Sequence, residues 1–276
     1  MAGATAECPL KVMSFNLRNG LARDGENAWP KRKGILIDTV KHCDPDIMGI
    51  QECFGFQAEY LAENLPDYRW IGIGRDANGG SEIAAVFYRT KLLVPIESGN
   101  FWLSETPEVP GSRSWDSSLN RIATWVRFHA PKTGTFFHVF NTHFDHIGHV
   151  ARERSAALLC QRAAHLEPDY PVIVLGDFNA RAESTPPWDI FAKNGFKDAW
   201  LTAEDRSGPP GTFHGWTVPD SENTSRIDWI LHRGPVAVQH CETITYNKQG
   251  RYPSDHCPVL ARLTIHQLSK GDAGGG

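Results

Sequence analysis

Arg251-Tyr252-Pro253-Ser254-Asp255-His256-Cys257-Pro258-Val259 sets an acid and an imidazole side by side at the head of an apolar strand, Val259–Ile265. A histidine held there can act as a base near neutral pH. Upstream the same form recurs, an apolar run closed by an amide or acid and followed by a loop. Asn16 closes Ser-Phe-Asn-Leu-Arg, Glu52 closes Ile-Gln-Glu, Asp177 and Asn179 close Gly-Asp-Phe-Asn, and Asp228 stands in Arg-Ile-Asp.

Working outward, short apolar runs alternate with amphipathic segments. The first half reads as strand Lys11–Leu17, helix Ala28–His42, strand Ile47–Gln51, helix Phe56–Leu65, and strands near Tyr68–Ile73 and Ile83–Tyr88. The second half reads as strands Ala123–Phe128 and Phe136–Thr142, helix Val150–His165, strand Val172–Leu175, a helix around Trp188–Asn194, and strands Arg226–Leu231 and Val259–Ile265. Two such halves suggest two sheets packed face to face. Alternation in Ala123-Thr124-Trp125-Val126-Arg127-Phe128 argues against a purely parallel sheet. The expected fold class is α/β (α+β): a sandwich of two mixed, mainly antiparallel sheets with helices outside. One domain is expected over residues 8–268, with 269–276 as a flexible Gly-rich tail. Gly99–Asn120 and Leu201–Ser225 read as long loops, of the kind that shape binding sites.

Composition narrows the function classes. With 28 basic against 32 acidic residues and a net charge of −4, there is no global pull toward nucleic acid or an anionic membrane. The six cysteines form no CxxC pair and several sit in apolar runs, which disfavours zinc or a disulfide framework. Met1–Pro9 lacks the apolar centre of a secretion signal, and no apolar run reaches the length of a membrane span. The expectation is a soluble, cytoplasmic protein with no membrane partner.

The strand-end residues carry the chemistry. A carboxylate such as Glu52 at the end of a buried strand can bind a hard cation through oxygen. The amide of Asn16 can bind metal or phosphate oxygen, or simply close a turn. Asn141-Thr142-His143-Phe144-Asp145-His146 crowds three titratable side chains at one strand end. Asp177 and Asn179, two apart in extended chain, can point to the same side. Asp228 falls within an apolar strand, where a lone charge is costly and needs a partner. A histidine ring is a suitable one, since the carboxylate fixes the tautomer and aims the other nitrogen outward.

Taken in order, Ser-Phe-Asn-Leu-Arg, Gln-Glu, Asn-Thr-His-Phe-Asp-His, Gly-Asp-Phe-Asn, Arg-Ile-Asp-Trp-Ile and Ser-Asp-His-Cys-Pro-Val resemble the endonuclease/exonuclease/phosphatase superfamily, the fold of deoxyribonuclease I. The resemblance spans residues 11 to 265. It implies a four-layer α/β/β/α sandwich and Mg²⁺-dependent hydrolysis of phosphoester bonds, with Mn²⁺ as a possible substitute. It further implies Glu52 as principal metal ligand with Asn16 and Asp255 nearby, Asp177 positioning or activating water, and Asn179 contacting the scissile phosphate. By the same carry-over His143 donates to a phosphate oxygen, and Asp228 orients His256, which serves as general base or as stabiliser of transition-state charge.

Substrate choice falls to the loops. Arg121 is a candidate phosphate contact or an ordinary strand-start arginine. Asp145, His214 and Trp216 are further candidate substrate-binding residues, the aromatic loop residues serving either as a stacking wall or as loop packing. The charge balance puts a small phosphorylated compound, a sugar phosphate or soluble phosphodiester, ahead of a DNA or RNA substrate. A non-enzymatic interaction module is the least favoured reading.

Overall fold

The computed structural model describes residues 6–167, 170–219 and 225–267; the expected tail and residues 220–224 of the second loop lie outside them. The chain opens with β1 (Ala6–Asn16), a 3-10 turn (Gly25–Asn27), α1 (Trp29–Cys43), β2 (Ile47–Cys53), α2 (Gly55–Asn64), β3 (Tyr68–Ile71) and β4 (Ile83–Arg89). It continues through β5 (Val94–Trp102), β6 (Ile122–Ala130), β7 (Thr135–His143), α3 (His149–Ala164), β8 (Val172–Asp177) and α4 (Pro186–Lys193). The last third holds β9 (Lys197–Asp198), α5 (Ala199–Thr202), β10 (Asp205–Ser207), β11 (Asp228–Arg233), β12 (Val236–Thr243) and β13 (Val259–Gln267).

Local chemistry accounts for the helices. In α1, Pro30 lies in the first turn, where its missing N–H costs nothing, and Asp44 closes the helix in the left-handed region at φ +51°. Leu36, Ile37, Val40 and Cys43 form its buried stripe.

The strands form a seven-stranded sheet, β10-β12-β13-β1-β2-β4-β3, and a six-stranded sheet, β5-β6-β7-β8-β11-β9. Most neighbours are antiparallel, but β1 and β2 are parallel, and so are β7 and β8 and the short pair β10 and β12. In the first two pairs the crossover is a helix, α1 in one sheet and α3 in the other, the long connection that parallel pairing demands; between β10 and β12 the chain passes through β11 of the other sheet. The inner faces meet in one core that takes Val12, Ile47 and Val86 from the first sheet and Val126, Val139 and Ile173 from the second. Outside the first sheet, Met13, Met48 and Phe87 pack with Leu36 and Val40 of α1 and Leu61 of α2. Outside the second, Phe140, Val174 and Trp229 pack with Leu159 of α3 and Phe191 of α4. The result is the four-layer α/β/β/α sandwich, each fully buried large side chain contributing roughly 1.5–3 kcal/mol.

A polar staple registers the sheets near the centre. Asn141 of β7 donates to the carbonyls of Ile50 and Ala85 at 2.9 and 2.8 Å and accepts from Gln51 Nε2 at 2.7 Å, joining the sheets. Gly49 leaves room for it, since a Cβ there would meet Asn141 Oδ1 at 2.7 Å.

Some elements differ from the sequence reading. Gly99–Trp102, read as loop, is the end of β5, an edge strand with mostly exposed or half-buried residues and therefore no apolar signature. The second long loop contains β10. β12 went unread because a register shift between Val238 and His240 interrupts its alternation. Asp228 opens β11 instead of lying inside it, although it is fully buried.

Candidate active site

Topology brings the strand-end residues together. Asn16, Glu52, His143 and Asp177 stand at or next to the C-terminal ends of β1, β2, β7 and β8. β11 runs antiparallel to β8 with Asp228 opposite Asp177, and β13 runs antiparallel to β1, so Asp255 and His256 arrive just before its start at the same edge. These ends floor a cleft of about 430 Å³, within the range of small-molecule sites.

On one side of the floor, Asn16 Nδ2 lies 3.0 Å from Glu52 Oε1 and 2.9 Å from Asp177 Oδ2, bridging two carboxylates. Glu52 Oε2 also accepts from the Asn19 amide at 2.7 Å. Glu52 is aimed by its backbone: φ is +56°, and the β2–β4 register shifts between Ile50 and Cys53. Asp255 is buried beside this group, 3.6 Å from the Arg18 guanidinium. Burial raises its pKa, opposed by His256 and Arg18.

On the other side, His256 Nδ1 and Asp228 Oδ2 are 2.9 Å apart, and Thr212 Oγ1 donates to the same oxygen at 2.6 Å. His256 Nε2 points toward Asp177 Oδ2 at 3.8 Å. Burial alone would depress the imidazole, but Asp228, Asp177 and Asp255 outweigh it and hold it up as imidazolium. Asp177 is pushed up by burial and by Asp228, against the pull of His256 and the hydrogen bonds from Asn179 and Asn16. The two form a buried ion pair at 3.8 Å in which the imidazolium is the firmer holder of its proton. Such a pair can take a proton from water at the carboxylate while presenting a charged donor at the imidazolium.

Asn179, at φ +46°, donates from Nδ2 to His143 Nε2 at 3.0 Å and to the Phe144 carbonyl at 3.1 Å. An amide nitrogen only donates, so His143 Nε2 accepts. Burial, then Arg121 and Arg75, hold the ring well below the ordinary histidine range. The neutral ring then accepts at Nε2, orienting Asn179, and carries its hydrogen on Nδ1, the nitrogen left for the donor role that the sequence resemblance implies.

Arg121 lines the cleft, buried, with Nη2 bonded to His146 Nδ1 at 3.0 Å. Three other candidates stand elsewhere. Asp145 does not line the cleft: it accepts from Ser118, Leu119, Ile147 and Gly148 and lies 3.5 Å from Arg121, which makes it a loop anchor. His214 is buried, bonded to the Thr217 carbonyl and packed on Tyr252. Trp216 lies over the guanidinium of Arg32, 5.6 Å from the ring centroid, as packing and not as a cleft wall. Sequence reading named Phe213 among the aromatic loop residues but gave no role to the cleft residues Arg18, Glu82 and His146, although Arg18 and His146 lie in segments already singled out.

The donor set suits a divalent metal ion. Glu52, His143 and Asp177 each offer a ligand atom within 4.8 Å of the others, and the paired carboxylate oxygens meet the preference of a hard cation. Asp177, Asp228 and His256 form a second such group; in both the histidine is already engaged, His143 Nε2 with Asn179 and His256 Nδ1 with Asp228, which leaves the carboxylates as the donors at hand. All six cysteines are buried and unpaired. Among the described residues no helix is long and apolar enough to cross a membrane.

Residues 13–256 match the sequence profile of the Endonuclease/Exonuclease/phosphatase family. A Bacteroides thetaiotaomicron member of known structure is 36% identical, covering 95% of this chain and 97% of its own, with a TM-score of 0.90. A mannosyl-6-phosphatase from the same organism is 37% identical over 92% of this chain and 99% of its own, TM-score 0.85. The uncharacterized protein YbhP of Escherichia coli strain K12 is 27% identical over 273 residues, 96% of this chain and 100% of its own.

Proposed function

The chain belongs to the endonuclease/exonuclease/phosphatase family, and from that premise we propose that it is a Mg²⁺-dependent phosphatase acting on a small phosphorylated compound, a sugar phosphate monoester. The observation that carries this reading is the cleft floor itself. A carboxylate pair suited to a hard cation adjoins a buried carboxylate–imidazolium pair, in a cavity of small-molecule size. The 37% identity to a mannosyl-6-phosphatase supports the substrate class.

In this reading Glu52, with Asn16 and Asp255 at hand, would hold Mg²⁺, and Asp177 would border the ion on the side of His256. When bound, the ion supplies charge stabilisation at the phosphoryl oxygens. Asp177, its affinity for a proton raised by burial and Asp228, accepts the proton of the attacking water as the phosphorus–sugar oxygen bond breaks, and the departing sugar oxygen takes a proton from solvent. His256 donates from Nε2 to the phosphoryl oxygen that gains charge, and Asp228 with Thr212 keeps the ring in place. Asn179, oriented by His143, meets the same phosphate. The observation favouring a small substrate over a nucleic acid is the balance of charge, 28 basic against 32 acidic residues.

A panel of sugar phosphates, soluble diesters and oligonucleotides, each with Mg²⁺, Mn²⁺ or EDTA, tests the proposal. Metal-dependent release of inorganic phosphate from hexose phosphates is the expected result. Turnover retained in EDTA would remove the metal from the mechanism, and cleavage restricted to oligonucleotides would reverse the choice of substrate.

A further inference from the structure

Two cleft residues have no part in the chemistry above, and both are held in unusual settings. Phe213 is 40% exposed although it is a large apolar side chain. Its backbone leaves it no alternative: Thr212 on one side is buried against Asp228, and His214 on the other is buried against the Thr217 carbonyl. The Phe213 N–H is bonded to the Ser225 carbonyl at 3.1 Å. With its neighbours fixed inward, the ring is directed into the cleft, its centroid 4.9 Å from that of His256 and tilted by 58°. Exposed apolar surface beside a reacting group is unfavourable in water, and a ligand that covers it recovers that free energy.

The second residue is His146, exposed at the same cleft. Its Nδ1 is 3.0 Å from Arg121 Nη2. A guanidinium has no acceptor, so Nδ1 accepts and the ring carries its hydrogen on Nε2, a donor. Arg121 is itself buried, its Nε without a hydrogen-bond partner and its nearest carboxylate, Asp145, at 3.5 Å and already bonded to the surrounding loop. The loop 145–148 thus holds His146 by way of Arg121, as a donor of fixed tautomer.

Resting on the proposed phosphatase reading, we infer that Phe213 and His146 form the leaving-group subsite, and that it selects a monosaccharide ring. The Phe213 face covers the apolar C–H face of the ring, and the His146 Nε2–H donates to an oxygen at its edge. The apolar lining contributed by Leu119 and Ala22 suits the same amphipathic group. Arg121 acts here as a positioning residue for His146.

Hydrolysis of a hexose 6-phosphate is compared with that of ethyl phosphate, which presents the same primary phosphate ester without ring or hydroxyls. Phe213→Ala and His146→Ala should each lower the ratio of kcat/KM for the sugar ester over ethyl phosphate by roughly tenfold, the scale of one lost hydrogen bond or apolar contact. The change should fall mainly in KM, and Phe213→Tyr should retain the ratio. Equal losses on both esters would overturn the inference, assigning Phe213 to the support of His256, and so would an unchanged ratio. A wild-type enzyme inactive on every hexose phosphate would instead overturn the phosphatase reading and the subsite with it.

Discussion

Replacing Asp228 by Asn keeps the shape of the His256 partner and removes its charge. His256 is held up to about 10 against an ordinary 6.5, despite burial, which opposes the charged form, through Asp228, Asp177 and Asp255. That gap corresponds to about 5 kcal/mol of preference for the imidazolium. Asp228 contributes both charge and a hydrogen bond, so about half of it, roughly 2–3 kcal/mol, is assigned to this residue. In Asp228→Asn the amide oxygen still accepts from Thr212 and from His256 Nδ1–H. Once deprotonated, the ring carries its hydrogen on Nδ1 and presents a lone pair at Nε2 where a charged donor stood. Losing roughly 2–3 kcal/mol brings deprotonation about two pH units lower, so kcat should change little at pH 7 and fall about tenfold at pH 9, with KM little changed. The sign of the pH effect follows from the raised value: the cation persists below about pH 10 in the wild type and is lost at lower pH in the variant. The alkaline limb of the kcat profile should therefore move toward acid. Steady-state kinetics from pH 6 to 10.5, with thermal melts to confirm folding, is the assay. Wild-type kcat at pH 9 together with an unmoved alkaline limb would refute the reasoning.

Glu52→Gln removes one charge of the carboxylate pair, and Mn²⁺ titration of the protein alone should show at least about tenfold weaker binding, with turnover reduced further; unchanged Mn²⁺ affinity would place the ion elsewhere. Asn141→Ala leaves the Ile50 and Ala85 carbonyls without their buried donor, so urea unfolding should register a loss of roughly 2–3 kcal/mol. A loss under about 0.5 kcal/mol would mean that the staple is dispensable. His232 is depressed to about 4 by burial, so its neutral form stabilises the fold above pH 6.5, and that contribution is lost as pH falls from 6.5 through 4. Between pH 7 and pH 5 the wild type should lose roughly 2 kcal/mol more than a His232→Gln variant; parallel profiles for the two proteins would contradict the assignment.

Much of the fold was legible because each strand of the sandwich interior is a short apolar run punctuated by polar residues. Val172–Leu175 followed by Gly-Asp-Phe-Asn, or Ile47–Ile50 before Gln-Glu, announces both a strand and its functional end. Aim was not legible. Glu52 reaches the cleft through a bulge and a left-handed backbone, and neither leaves a trace in residue type. Asp145 sits in the segment richest in titratable groups, yet what decides its setting is the ring of N–H and O–H donors from two loops. Phe213 and Trp216 lie three residues apart in one loop and look alike in sequence; the burial of Thr212 and His214 sends the first to the cleft, while the second covers Arg32.

Arg32 shows how a scaffold residue governs the metal side of the site. Its side chain is almost wholly buried, near the N-terminal end of α1, between the rings of Trp29 and Trp216. Its guanidinium donates to the carbonyls of Leu17, Arg18, Asn27 and Pro253. Burial lowers its pKa to about 10, so it stays charged at neutral pH. Three of those carbonyls, of Leu17, Arg18 and Pro253, belong to the segment leaving β1 after Asn16 and to the segment entering Ser254-Asp255-His256, which are distant in sequence and adjacent at the cleft. Backbone carbonyls in irregular segments need donors once water is excluded, and a single planar cation with five N–H groups serves four of them at once. The spacing of Asn16 and Asp255 is therefore braced by a covalently rigid group, together with Ser254 Oγ, which donates to the Asn16 carbonyl at 2.7 Å. Burial and, more weakly, Glu52 push the Asp255 pKa up, while His256 and Arg18 oppose them, and Asp255 in turn favours the charged form of Arg32. The apparent surplus of carboxylates on this floor is thus part of a balanced array whose cations come from α1 and from the loop after β1.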